Sequence, residues 1–258
     1  MLTFTGSPAV GWPLKAKAGQ KKVVLELGGN VGVIVHSDAD LNYAAERILS
    51  GGFSYAGQSC ISVQRVFVQH SCYQAFLDIF LPKVKALVLG DPLDEATDVG
   101  PMIDSGAAVR TEEWIKEAVA GGAKVLTGGK RKGTLFEPTI LVDTLPEMKT
   151  CALEIFAPVV AVMPYNTFEE AVAAVDDSLY GLQAGVFTRD LGNIWYAFTE
   201  LEVGGVIVND VPTWRVDHMP YGGMKNSGFG REGVRYAMEE MTEPKLLVLN
   251  HLGMVGTR

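Results

Sequence analysis

Basic charge is scarce in this chain, where 22 Lys and Arg stand against 30 Asp and Glu for a net charge of −8. A surface of that sign repels phosphate backbones and anionic lipid headgroups, which argues against nucleic-acid and membrane partners. Cysteine is scarcer still. Cys60, Cys72 and Cys151 are odd in number and follow no metal-ligand spacing. Neither a disulfide framework nor a metal site is expected, and a reducing compartment is. No uninterrupted apolar run approaches the roughly 20 residues that a membrane helix needs. The opening segment Met1-Leu-Thr-Phe-Thr-Gly-Ser-Pro8 has no charged n-region and no apolar h-region, so a secretory signal is not expected and a cytoplasmic location is. Internal repeats and low-complexity segments are also lacking. What is present is the composition of an ordinary globule, 48% hydrophobic and 20% charged. A chain of 258 residues is long enough to bury a substantial core.

The pattern along the chain alternates. From Val23 to Val35 an apolar run broken by Gly28, Gly29 and Gly32 predicts a strand, a turn and a second strand. Helical spacing is expected over Asp40 to Ser50, over Tyr73 to Leu87 with Ser71 as N-cap, over Ser105 to Val119, over Thr167 to Val175 and over Leu191 to Leu201. Between these lie strand-like segments at Val63 to Val68, Lys124 to Thr127, Ile140 to Val142, Val159 to Met163, Gln183 to Phe187 and Val206 to Val208. Gly90 to Thr97, rich in acidic residues and proline, reads as a surface loop. Alternation of this kind means an α/β fold with a parallel twisted sheet joined by crossover helices. The tail differs, with a helix over Arg231 to Met241 and an isolated apolar strand, Lys245 to Leu249, that has no neighbour in sequence to pair with.

Two residues break the pattern in a chemically suggestive way. Cys60 sits in Phe53-Ser-Tyr-Ala-Gly-Gln-Ser-Cys60, a small-residue loop between a helix and a strand, where a scaffold can present a thiol without burying it. On spacing alone the commoner reading of such a cysteine is a small buried hydrophobe. Glu26 interrupts the apolar run Val23-Val-Leu-Glu26 just before two glycines. An ionised group in a strand buried on both faces is costly, and its pKa rises unless it is paired. Glu26 is therefore a candidate general base, and an exposed strand-end glutamate is the structural alternative.

Together these residues and several further motifs carry a resemblance. The chain resembles the aldehyde dehydrogenase superfamily over nearly its whole length. Phe4-Thr-Gly-Ser7 followed by Val10-Gly11 looks like that family's phosphate-side cofactor loop, Glu26-Leu-Gly-Gly29 like its glutamate motif and Gly57-Gln-Ser-Cys60 like its cysteine motif. Gly100-Pro-Met-Ile103, Gly122-Ala-Lys-Val-Leu126 with Gly128-Gly129, Glu154-Ile-Phe-Ala-Pro158, and Pro220-Tyr-Gly-Gly-Met-Lys225 with Ser227-Gly228 follow in family order. Ala157 stands where the family usually has glycine. The local sequence Thr213-Trp-Arg-Val-Asp-His-Met-Pro-Tyr221 looks like the branch acting on lactaldehyde and, without phosphorylation, on glyceraldehyde-3-phosphate.

The resemblance implies NAD- or NADP-dependent oxidation of an aldehyde to a carboxylic acid. Cys60 would be the nucleophile that carries a thiohemiacetal and then a thioester, helped by backbone N–H groups at Ser59, Cys60 and Ile61. Glu26 would assist hydrolysis. In the branches that pass the acyl group to coenzyme A another residue usually holds the position of Glu26, so a free acid is the expected product. Gly6, Ser7, Leu27, Glu154 and Phe156 are the expected cofactor contacts. Arg215 and Tyr221 are the expected substrate contacts, with an ion pair from Arg215 to Asp217 or Asp210 as the structural alternative. The resemblance begins at the family's middle, so most of the dinucleotide-binding domain and an asparagine that helps hold the oxyanion lie outside these residues. The implied organisation is a remnant of the dinucleotide-binding domain over 1–27, a catalytic domain over 28–228, and a C-terminal helix and oligomerisation strand over 229–258. In the family that strand extends a partner subunit's sheet, so a homo-oligomer, dimer or tetramer, is expected. A cofactor-incompetent scaffold domain with at most weak esterase activity is the alternative.

Overall fold

Residues 1–250 are described in this computed structural model of the chain. The chain opens with β1 (Leu2–Thr5), α1 (Pro8–Lys17), β2 (Val23–Glu26), β3 (Val31–Val35), α2 (Leu41–Phe53) and β4 (Val63–Gln69). It continues through α3 (Tyr73–Lys85), α4 (Ser105–Ala120), β5 (Lys124–Thr127), β6 (Arg131–Lys132), β7 (Leu135–Phe136), β8 (Thr139–Val142), α5 (Lys149–Ala152) and β9 (Val159–Tyr165). The last elements are α6 (Phe168–Asp176), β10 (Tyr180–Gly181), β11 (Gln183–Phe187), α7 (Leu191–Glu200), β12 (Gly205–Val208), β13 (Met224–Lys225), β14 (Gly228–Phe229) and α8 (Val234–Met241).

Seven strands form the main sheet in the order β12-β11-β3-β4-β9-β8-β5. Every neighbouring pair in it is parallel except β5 with β8. A strand covered by helices on both faces needs no polar side, which is why β3 reads Val-Gly-Val-Ile-Val and is buried throughout. One face packs Ala44, Ile48, Phe76 and Phe80 from α2 and α3 against Val33, Val66 and Val160. The other packs Ala171, Val175 and Ala197 from α6 and α7 against Ile34, Phe67 and Val186.

β2 and β3 are consecutive in sequence but belong to different sheets. β2 is the middle of a three-stranded sheet, parallel to β1 and antiparallel to β14, and the Leu27-Gly-Gly-Asn30 turn carries the chain from this sheet into the larger one. A separate small core of Ala18, Val23, Leu25 and Leu27, with Phe4 and Trp12 packed on it, holds α1 to this sheet. The site therefore forms at the crossing from one sheet to the other.

Three expectations shift. Ser71 lies inside a short 3-10 turn, His70–Cys72, and α3 has Cys72 at its N-cap position with no side-chain cap bond. The C-terminal helix starts at Val234 instead of Arg231, because Gly233 has φ +107°, a left-handed value outside any helix. Lys245 to Leu249 forms no strand within the single chain. A lone strand has nothing to donate its ladder bonds to.

Candidate active site

Three loops meet through glycines that leave no room for a side chain. A Cβ on Gly29 would collide with the Cys60 carbonyl oxygen, one on Gly57 with the Ala157 carbonyl oxygen, and one on Gly28 with the Glu154 carboxylate. Gly57 also has φ +67°, a conformation glycine adopts at no steric cost. The backbone leading into it is unusual, since Tyr55 and Ala56 hold φ of 53° and 55°. This path ends α2 abruptly and turns the chain so that Cys60 lies beside the glycine turn between β2 and β3.

The Cys60 sulfur lies 3.3 Å from the Tyr221 hydroxyl. Burial pushes the thiol pKa up, and the nearby Glu154 and Glu26 carboxylates push it the same way, while the bond to Tyr221 pulls it down. Glu26, the last residue of β2, is only 4% exposed. Neither of its carboxylate oxygens has a hydrogen-bond partner among the described residues. Gly222 packs against it, with room for no more than a hydrogen. Burial is the main reason that its pKa rises to about 8; Glu232 adds to the rise, and Arg215 and Arg231 oppose it. Glu26, Cys60, Glu154, Arg215 and Tyr221 thus act on one another electrostatically, although they come from distant parts of the chain.

Of the expected backbone donors, the Cys60 N–H lies by its own sulfur. The Ile61 N–H instead points to the Ser59 hydroxyl at 3.4 Å. Arg215 pairs with neither Asp217 nor Asp210. It makes a 3.0 Å ion pair with Glu232 and stacks 4.0 Å over the Tyr221 ring, while Asp210 is held by Arg47. Tyr221 and Glu232 also exchange backbone hydrogen bonds, so ring, cation and acid form one unit.

Among the residues expected to contact a cofactor, Ser7 occupies the N-cap position of α1 and its hydroxyl makes no cap bond, while the Gly6 N–H donates to the Glu26 carbonyl. A helix N-terminus with a free hydroxyl suits an anion such as phosphate. Leu27 turns its side chain into the small core against Gly11, which leaves its backbone carbonyl as the group it offers. The Glu154 carboxylate accepts from the Gly29 N–H at 2.8 Å, and burial raises its pKa. Phe156, with φ 51°, is 36% exposed. These positions fit the ribose and pyrophosphate end of a dinucleotide: acceptors for hydroxyl groups, an apolar face and an anion site.

Several supporting residues carry no motif. Gln64 on β4 donates to the carbonyls of Thr150 and Leu153 at 3.1 and 2.6 Å and accepts from the Ile155 N–H at 3.1 Å, clamping the loop that bears Glu154 and Phe156. Its neighbour Arg65, buried and lowered to a pKa of about 10 by burial, donates to Ala174, Val175 and Asn30. The signal in the sequence is a polar pair, Gln64-Arg65, inside a buried strand that is otherwise apolar up to its terminal Gln69.

The pattern described as "Aldehyde dehydrogenase family" matches residues 1–247. The chain belongs to the aldehyde dehydrogenase family. Among similar family members, the 3-sulfolactaldehyde dehydrogenase of Priestia aryabhattai is 54% identical over 97% of this chain and 52% of its own length. The lactaldehyde dehydrogenase of Methanococcus aeolicus is 44% identical over 96% of this chain and 53% of its own. Aldehyde dehydrogenase 21 of Physcomitrella patens, solved with the reaction product succinate, superposes with a TM-score of 0.95 at 50% identity, covering 98% of this chain and 53% of that one. The chain spans about half the length of the curated relatives it matches.

Proposed function

We propose that this chain carries the catalytic machinery for NAD- or NADP-dependent oxidation of an aldehyde to a carboxylic acid, with Cys60 as nucleophile and Glu26 as the base for hydrolysis. The observation that carries the reading is the convergence of Cys60, Tyr221 and two raised carboxylates, Glu26 and Glu154, where three glycine-packed loops meet. Gly6, Ser7, Leu27, Glu154 and Phe156 would hold the dinucleotide, whose chemistry when bound is acceptance of hydride. Cys60 adds its sulfur to the carbonyl carbon and keeps the substrate in place through oxidation as a covalent adduct. At the acyl stage Glu26 takes a proton from the attacking water, and the acid leaves as the thiol is regenerated. A carboxyl group with a pKa near 8 and no competing hydrogen bond is a base matched to near-neutral pH. The relatives' names point to short aldehydes bearing hydroxyl or anionic groups, and Arg215, stacked over the Tyr221 ring whose hydroxyl lies by the thiol, is the cation that would meet them.

In this reading the small sheet of β1, β2 and β14 belongs with the dinucleotide-binding part, and the seven-stranded sheet is the catalytic part. The exposed tail from Lys245 adds a strand to a second copy. Because nucleophile and base both lie in this chain, we infer that it hydrolyses activated esters without a cofactor. The test titrates NAD and NADP against tryptophan fluorescence and assays aldehyde oxidation and ester hydrolysis in wild type and Cys60→Ala. Binding with turnover that Cys60→Ala abolishes supports the oxidation. Ester hydrolysis alone leaves a thiol hydrolase, and equal ester rates in wild type and Cys60→Ala would reject Cys60 as nucleophile.

A further inference from the structure

The Tyr221 hydroxyl is buried and has one hydrogen-bond partner among the described residues, the Cys60 sulfur at 3.3 Å. Either group is able to donate while both are protonated. Once the thiol ionises, only one arrangement remains, with the phenol donating and the sulfur accepting. The phenol keeps its proton, because burial first and the neighbouring Cys60 and Glu26 next push its own ionisation further up, with Arg215 opposing. Stacked 4.0 Å away over the ring, the Arg215 guanidinium draws electron density from the phenol and strengthens it as a donor. Its ion pair with Glu232 and the backbone bonds between Glu232 and Tyr221 hold that stack in place.

Apart from the Cys60 backbone N–H, which also favours the anion, the other groups around the sulfur work against its ionisation. Glu26 from β2 and Glu154 from the loop after α5 are acidic, and Tyr221 is the side chain that favours the anion. A buried nucleophile between two carboxylates needs a donor to exist as thiolate at all.

We propose that Tyr221 is a catalytic residue whose hydroxyl donates to the Cys60 thiolate, and that Arg215 is a positioning residue that holds and sharpens that donor from the far face of the ring. This goes beyond the substrate contact expected of Tyr221, and it rests on Cys60 being the nucleophile. Bonding lowers the sulfur's intrinsic reactivity as it raises the thiolate fraction, but reactivity follows basicity with a slope of only about 0.4–0.5, so the bond gives a net gain below the titration midpoint.

The test is the pH dependence of Cys60 alkylation by iodoacetamide, followed by mass spectrometry of the peptide that contains Cys60. It requires neither aldehyde nor dinucleotide, so a chain that fails to oxidise aldehydes still reports on the inference. Tyr221→Phe, which keeps the ring, raises the midpoint by about one pH unit, lowers the rate below the midpoint about threefold and raises the high-pH plateau about threefold. Arg215→Met, which keeps the hydroxyl, shifts the midpoint in the same direction by less. An unchanged midpoint in Tyr221→Phe overturns the proposal, whatever happens to the plateau, because a ring that merely shapes the cavity alters access and not ionisation. A shift in Arg215→Met without one in Tyr221→Phe also overturns it, since the cation's charge and not the hydroxyl would then be acting on the sulfur.

Discussion

At the scale of single residues, Glu26 is where stability and chemistry oppose each other. Its pKa stands near 8 in the folded chain against 4.5 in the unfolded one, chiefly because burial removes its hydration. Between those values the folded state binds more protons than the unfolded state, so the stability of this site is fully present at low pH and falls as pH rises through that window. A shift of that size corresponds to on the order of 4–5 kcal/mol across the whole window. Glu26→Gln, which stays neutral, is therefore more stable than wild type at pH 8.5, and the difference shrinks towards pH 5; thermal melts across that range measure it. On the proposed mechanism, acid-releasing turnover of the wild type is expected to rise with a midpoint near 8, the pKa of Glu26, and the same variant to lose that rise. A parallel melting profile for the two proteins would mean that the carboxyl is hydrated or paired after all.

Elements place those residues, and some element features matter to the site while others matter only to folding. Gln64→Leu strips three hydrogen bonds from the loop bearing Glu154 and leaves buried carbonyls and an N–H without partners. The expected cost is about 2–4 kcal/mol in denaturant unfolding. Faster hydrogen exchange over residues 150–157, with the rest of the sheet unchanged, distinguishes local loosening from general damage. Asp40→Ala is the contrasting case. The Asp40 side chain accepts from the N–H groups of Asn42 and Tyr43 and caps α2 at the end away from Cys60. Its loss costs about 1 kcal/mol and leaves the Cys60 alkylation profile as in wild type.

For the whole molecule, the outstanding feature is an apolar tail with nothing on it. Leu246, Leu247, Val248 and Leu249 are 65–84% exposed, and α8 buries no side chain while Val234, Met238 and Met241 face outward. Exposed apolar surface of this extent is what an association site offers, and a segment without a ladder partner is expected to complete its hydrogen bonds on another sheet. Light scattering is expected to give a multiple of the chain mass, reduced to one chain by deleting residues 245–258. A monomer in both forms would overturn the association.

How much was legible follows from the range of each interaction. Strand and helix identity depends on periodicity within about a dozen residues, and the order of alternation was enough to imply a parallel sheet covered on both faces. Cys60 and Glu26 stood out locally, one as a thiol in a small-residue loop and the other as a carboxyl in an apolar run. Capping and partner choice were less accessible: Ser71 gave way to a 3-10 turn, and Arg215 paired with Glu232 over two aspartates closer in sequence. The sequence by itself determined the strands of the main sheet and their covering helices, though not β1, α1 or β14 around Glu26, and which residues are chemically conspicuous, because burial periodicity and residue chemistry are local properties. Only the tertiary structure decided that β2 and β3 part into separate sheets, that Tyr221 meets the Cys60 sulfur from 161 positions away, and that Glu26 loses its water. Those outcomes depend on which distant surfaces exclude solvent together.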